Sequence, residues 1–221
     1  FAIILAFAGR IDIAPYFIFL AAVLDFFDGF LARILKQQGE LGKQLDSLAD
    51  MISFGLAPGI IIFRILIISY DDHFTVFSGD LYRNWLNSLF DLNVNAFIPL
   101  AGLIIPFFSL FRLAKFNIDT RQSESFIGLP TPANALFILS LPLVIDFSDS
   151  LFVFEMLTNH WVLLGITLCS AYILNAEIPL FALKIKKFTV KDNVLQIVFL
   201  LICLVLVALL QYMAIPLIII I

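Results

Sequence analysis

Long apolar segments set the terms for any fold this chain can adopt. Six of them lie at about 12–35, 44–70, 94–116, 129–146, 160–177 and 193–210. Each is long enough to cross about 30 Å of hydrocarbon with some tilt. A backbone in lipid must satisfy its own hydrogen bonds, which leaves helices or a closed barrel. Barrel strands run to about ten residues of alternating polarity, and these segments are longer and uniformly apolar. The expected fold is therefore all-α: a polytopic transmembrane helical bundle of about six to eight spans, forming one membrane-embedded domain over 1–221. The apolar stretches at 1–9 and 212–221 are too short to span and read as parts of truncated N- and C-terminal helices.

Composition excludes the soluble alternative. Charged residues make up 14% of the chain and mean hydropathy is +1.07, whereas a soluble domain carries about 25% charged residues. A net charge of −4 leaves no basic footprint for nucleic acid. Cys169 and Cys203 lie inside apolar runs and read as packing residues, without the spacing of a disulfide framework or metal motif.

Basic residues orient the bundle. The connections at 33–43, 112–127 and 177–193 hold Arg33, Lys36, Lys43, Arg112, Lys115, Arg121, Lys184, Lys186, Lys187 and Lys191, ten of the thirteen Lys and Arg. That face is expected to be cytoplasmic, in a cell (inner) membrane. The opposite connections hold Arg10 and Arg83, and Arg64 falls within a span. The connection following residue 70 is expected to lie on the membrane surface, with Tyr82 and Trp85 as interfacial anchors. His73 and His160 are isolated on that side.

Against this background, LDFFDGFLARILKQQGELGKQLDSLAD at 24–50 is anomalous. Asp25 and Asp28 are three apart and share a helix face with Gly29 and Ala32; Asp46 and Asp50 are four apart, with Gly42 a turn earlier. The connection at 36–42 is short, which makes the helices at about 12–35 and 44–70 antiparallel neighbours. Two pairs of carboxylates are then expected to meet across one seam. Four such charges in a partly dry site need compensation. Lys43 and Arg33 supply some; a divalent cation supplies more. Oxygen ligands without His or Cys favour Mg²⁺, Mn²⁺ or Ca²⁺ over zinc. Mg²⁺ commonly keeps positions open for substrate phosphates, which points to phosphoryl chemistry. Small residues beside the metals would let a nucleotide approach the backbone, and Arg33 suits a pyrophosphate oxygen. The competing readings are helix caps and solvated surface charge, or an ion or proton pathway.

Asp25-x2-Asp28-Gly29-x2-Ala32-Arg33-x8-Gly42-x3-Asp46-x3-Asp50 resembles the signature of the CDP-alcohol phosphotransferases, with every specified position filled. The resemblance implies a membrane-embedded catalytic domain with one or two divalent ions, Mg²⁺ or Mn²⁺, and Ca²⁺ as a non-productive occupant. It implies that Asp25, Asp28, Asp46 and Asp50 bind the metals, that Asp50 is also the general base, and that Gly29, Ala32, Arg33 and Gly42 line the nucleotide pocket. It further implies a homodimer among membrane lipids. SFGLAPG at 53–59 and FRLAKFNIDTRQSESFIGLPTPANA at 111–135 resemble the phosphatidylserine-synthesising branch, with CDP-diacylglycerol and L-serine as substrates. Arg112, Lys115 or Arg121 would then hold the serine carboxylate and Asn117 its ammonium. The same basic residues would also suit glycerol 3-phosphate or inositol phosphate, and choline is a further acceptor of this chemistry. In GLPTPAN at 128–134, Thr131 is expected to cap a helix that starts at Pro132. No HxK sequence of the kind used by histidine-nucleophile phosphatidylserine synthases occurs, so direct displacement is expected.

Overall fold

The computed structural model describes residues 1–35, 39–70, 80–118, 126–177, 179–180 and 194–220. After a short helix α1 (Ala2–Phe7), helix α2 (Ala14–Ile34) carries the first aspartate pair. Helix α3 (Glu40–Asp50) carries the second and runs through a π-helical turn (Met51–Leu56) into α4 (Ala57–Tyr70). Helix α5 (Asp80–Phe90) precedes a 3₁₀ stretch (Val94–Leu103) that leads directly into α6 (Ile104–Ile118). Pro99 sits inside that stretch and has no N–H to give an α-helical ladder. Helix α7 (Thr131–Phe147) follows, then α8 (Leu151–Thr158), α9 (His160–Asn175), α10 (Val194–Leu210) and α11 (Ala214–Ile220). One antiparallel pair of two-residue strands, β1 (Phe126–Ile127) and β2 (Pro179–Leu180), ties the segment before α7 to the segment after α9.

The chain is an integral membrane protein by these helices. Among the described residues four are long and apolar enough to cross a membrane: Ala14–Ala32, Glu40–Ser69, Val94–Ile118 and Ile197–Ile220. A fifth is obtained if α8 and α9, bent by 66°, count as one span. The expected six to eight is not met by this measure, for three local reasons. Asn159 accepts from the N–H groups of Trp161 and Val162, capping α9 and turning it away from α8. Helix α7 is apolar but has 17 residues. The segments at 193–210 and 212–221 join through a 3₁₀ turn (Gln211–Met213) into one 24-residue span.

The span Glu40–Ser69 is the centre of the bundle, with 78% of its most apolar window buried, against 17% for Ala14–Ala32 and 6% for Ile197–Ile220. Large apolar side chains on the outer two, such as Phe26, Phe27, Leu200 and Leu204, face outward where lipid would lie. Beside α4, the 3₁₀ stretch and α6 pack antiparallel in a single register. Ser47 faces Asn117, Gly55 faces Ser109, Gly59 faces Pro106 and Phe63 faces Gly102. At the tight end a Cβ on Gly59 would lie 2.5 Å from Pro106 Cδ, and one on Gly102 would lie 2.5 Å from the Phe63 backbone nitrogen. Glycine at both places lets the two backbones touch, as small residues do at membrane helix crossings.

Four smaller expectations change. Trp85 is not an interfacial anchor: it is buried, edge-on to Phe63 at 5.1 Å, and donates its indole N–H to the Ala96 carbonyl at 2.8 Å. Tyr82 is half-buried beneath the Arg64 guanidinium, 4.5 Å from its ring centre. Helix α7 is preceded by Pro130, with Thr131 as its first residue, so Thr131 does not cap it. Cys169 is exposed on α9 and does not pack in the core. His73 lies outside the described residues.

Candidate active site

The four aspartates come from α2 and α3, the helices flanking the short connection. One member of each pair meets across the seam. Asp25 and Asp50 are both half-buried and adjacent, and Asp28 and Asp46 lie within electrostatic reach of Asp25. Asp28 and Asp46 themselves are exposed. Among the described residues, the buried Asp50 Oδ1 has no hydrogen-bond partner. A charged oxygen in that position is costly unless a cation or donor satisfies it. Among the described residues no three acidic, His or Cys side chains are gathered tightly enough to enclose a metal ion. The donor set nevertheless suits a hard divalent cation in kind, with carboxylate oxygens alone and one of them orphaned.

The π-helical turn begins at the residue after Asp50. Such turns inside α-helices are often found at functional sites, because the wider turn re-aims the side chains that follow it. Here it turns Gly55 onto Ser109 of α6, where an added Cβ would come within 3.0 Å of the Ser109 Cβ. On its other side Ile52, Ser53 and Ala57 line a cavity of about 250 Å³ shared with α1 and α2.

The glycines of the motif are placed quite differently. A Cβ on Gly29 or Gly42 would meet nothing within 4 Å. Neither glycine is required by packing among the described residues, unlike Gly59 and Gly102. Ala32 is half-buried one turn beyond Asp28, and Arg33 stands in the last turn of α2.

The candidate acceptor residues split between two faces of α6. Asn117 lies on the stripe with Ser109 and Leu113 that faces α3 and the π turn. Its Nδ2 donates to Ser47 Oγ at 2.9 Å and its backbone carbonyl accepts from Lys43 Nζ at 3.2 Å. Arg112 and Lys115 face the other way. Arg112 is buried and donates to the carbonyls of Leu129 at 3.1 Å and Gly128 at 3.4 Å, holding the turn that leads into α7. Gly128 has φ +76° and a Cβ there would press on the Ala176 carbonyl at 2.8 Å, so that turn needs glycine. Lys115 pairs with Glu177 at 2.8 Å in an exposed position. Arg121 lies outside the described residues. Sequence reasoning passed over Ser47, although it stands between Asp46 and Asp50; the only signal available was its place in that interval.

CDP-diacylglycerol–serine O-phosphatidyltransferase of Saccharomyces cerevisiae is 32% identical over 137 residues, covering 58% of this chain and 40% of that protein. The protein of the same name from Bacillus subtilis is 32% identical over 123 residues, covering 56% of each. The one from Helicobacter pylori is 29% identical over 195 residues, 85% of this chain and 68% of its own. The matches thus span well under two thirds of the yeast and Bacillus proteins. The model of the CDP-alcohol phosphatidyltransferase family matches residues 1–167, most of the 221, and includes all four aspartates. The chain belongs to the CDP-alcohol phosphatidyltransferase family.

Proposed function

We propose that this protein transfers the phosphatidyl group of CDP-diacylglycerol to the hydroxyl of L-serine, giving phosphatidylserine and CMP. The observation that carries the reading is the Asp25–Asp50 pair with its orphaned Asp50 oxygen, inside a motif whose spacing is that of the family. Serine as acceptor is supported by the names of the three relatives above.

Asp50 is the base. It takes the proton of the serine hydroxyl as that oxygen forms a bond to the lipid-side phosphorus. The bond from that phosphorus to the CMP oxygen breaks, and CMP leaves with the bonding pair. Asp25, Asp28, Asp46 and Asp50 would hold Mg²⁺ or Mn²⁺, which when bound supplies charge neutralisation of the diphosphate. Gly29, Ala32, Arg33 and Gly42 form the nucleotide side of the pocket. Placement at the inner, cytoplasmic leaflet lets the acyl chains stay in lipid while the headgroup reacts, and the enzyme works as a homodimer.

Purified protein in nanodiscs, given CDP-diacylglycerol, Mg²⁺ or Mn²⁺ and one alcohol at a time, tests this by CMP release. Release that depends on serine is expected. Release only with glycerol 3-phosphate, inositol phosphate or choline would overturn serine as acceptor. No release with any alcohol from folded protein would overturn transferase activity. Labelled CMP entering CDP-diacylglycerol without serine would replace direct displacement by a covalent intermediate.

A further inference from the structure

We infer that Lys43, Ser47 and Asn117 form the subsite for the amino-acid end of the acceptor, with Ser47 as the residue that sets the Asn117 amide. The inference rests on the serine reading above and assigns the part of the site that the aspartate motif leaves open.

Three observations carry it. Lys43 and Ser47 are four apart on α3, so they stand on one face, and Asp50 follows Ser47 by three on the same side. Along the helix, Lys43 lies about 6 Å from Ser47 towards the open end and Asp50 about 4.5 Å from it towards the π turn, at 1.5 Å per residue. Asn117 closes this face from α6 with two bonds, Nδ2 to Ser47 Oγ at 2.9 Å and its carbonyl from Lys43 Nζ at 3.2 Å. Finally, the α3–α6 register is fixed from below by the glycine contacts at Gly59 and Gly102, so the two ends cannot slide.

The hydrogen-bond chemistry then selects its ligand. In the observed arrangement Ser47 Oγ accepts from the Asn117 amide nitrogen, leaving Oδ1 as an acceptor; the structure gives that oxygen no partner among the described residues. An acceptor oxygen suits an ammonium. Lys43 has three N–H donors and uses one on the Asn117 carbonyl, so the remainder suit a carboxylate. A zwitterion lying along α3 would place its carboxylate at Lys43, its ammonium at Asn117 and its hydroxyl nearest Asp50. By contrast, Arg112 is turned to the carbonyls of Gly128 and Leu129, away from Asn117, and Lys115 pairs with Glu177. The subsite explains why a neutral or purely anionic alcohol would be a poorer acceptor: it would leave one of the two half-sites unmatched.

The test uses the whole protein in nanodiscs with L-serine as substrate and two competitors, 3-hydroxypropionate, which lacks the ammonium, and serinol, which lacks the carboxylate. Lys43→Met is expected to raise KM for serine about tenfold or more and to weaken 3-hydroxypropionate but not serinol. Ser47→Ala is expected to raise KM for serine about tenfold and to weaken serinol but not 3-hydroxypropionate. Ser47→Thr, which keeps the hydroxyl, should recover most of that loss. In every case KM for CDP-diacylglycerol should stay within twofold. Equal weakening of both competitors by either variant, a parallel rise in KM for the lipid, or no change in KM for serine would overturn the subsite. If the wild-type protein releases CMP only with another alcohol, the serine reading fails first and the subsite with it. A wild type active on serine with indifferent variants removes the subsite alone.

Discussion

The two classes of glycine make opposite predictions, and the difference can be worked from the structure. An added Cβ at Gly29 or Gly42 meets nothing within 4 Å, and both residues are helical. In a helix Gly is less favourable than Ala by roughly 0.5–1 kcal/mol. Gly29→Ala and Gly42→Ala should therefore leave the fold unharmed or stabilise it by about that amount each. If a nucleotide packs on the bare backbone at these positions, the same methyl group intrudes on it. Overpacking of that kind costs about 1–3 kcal/mol, which at 1.4 kcal/mol per tenfold is a rise of roughly 5- to 150-fold in KM for CDP-diacylglycerol. Thermal unfolding followed by tryptophan fluorescence gives the first quantity, and CMP release at varied lipid concentration gives the second. Lowered thermal stability in either variant would refute the packing argument. Unchanged stability with unchanged lipid KM would refute the nucleotide pocket at that glycine.

Gly102→Ala should do the reverse: its Cβ would fall 2.5 Å from the Phe63 nitrogen and 2.7 Å from the Gly59 carbonyl, so it should destabilise the protein by about 1–3 kcal/mol or more, read as a lower unfolding temperature. Asp50→Asn keeps the shape and relieves the like charge beside Asp25, so it should fold normally while turnover falls about 10²- to 10⁴-fold; near-normal turnover would remove Asp50 as the base. Trp85→Phe loses the buried 2.8 Å bond to the Ala96 carbonyl, which should cost about 1–3 kcal/mol of stability without changing KM for either substrate.

Much of this fold was legible because it is written in local pattern. The spans at 12–35 and 44–70 appear as α2 and as α3 running on into α4, and Asp25 and Asp50, one from each, do interact. What was illegible depends on partners far along the chain. Trp85 and Tyr82 look like interfacial anchors until Phe63, Ala96 and Arg64 are found around them. The count of six to eight spans is not recovered among the described residues, where one capping residue, Asn159, stands at the bend between α8 and α9 and a 3₁₀ turn joins two runs into one. Arg112, Lys115 and Asn117 lie within six residues of sequence, yet helical rotation sends Asn117 to the aspartate side and the other two away from it. Position in the sequence groups these residues, and the turn of the helix separates them.

That separation bears on how one face of a buried helix can serve a reaction between two unlike molecules. Phosphoryl transfer tolerates little misplacement, since about 1 Å can cost a hundredfold. In the proposed reading the donor would be held by α2 and the start of α3, at a surface left open by Gly29 and Gly42, and the acceptor between α3 and α6. Helix α3 is common to both, and Asp50 lies where they join, just before the π turn. The close backbone contact of α4 with the 3₁₀ stretch, at Gly59 and Gly102, lies further along the same helix pair and sets the spacing of α6. A change in helix spacing at Gly102 should therefore raise KM for serine more than KM for the lipid, because α6 would move and α2 would not. Equal effects on both would mean that the two substrates are not held by separate helix pairs, and the division of labour along α3 would have to be given up.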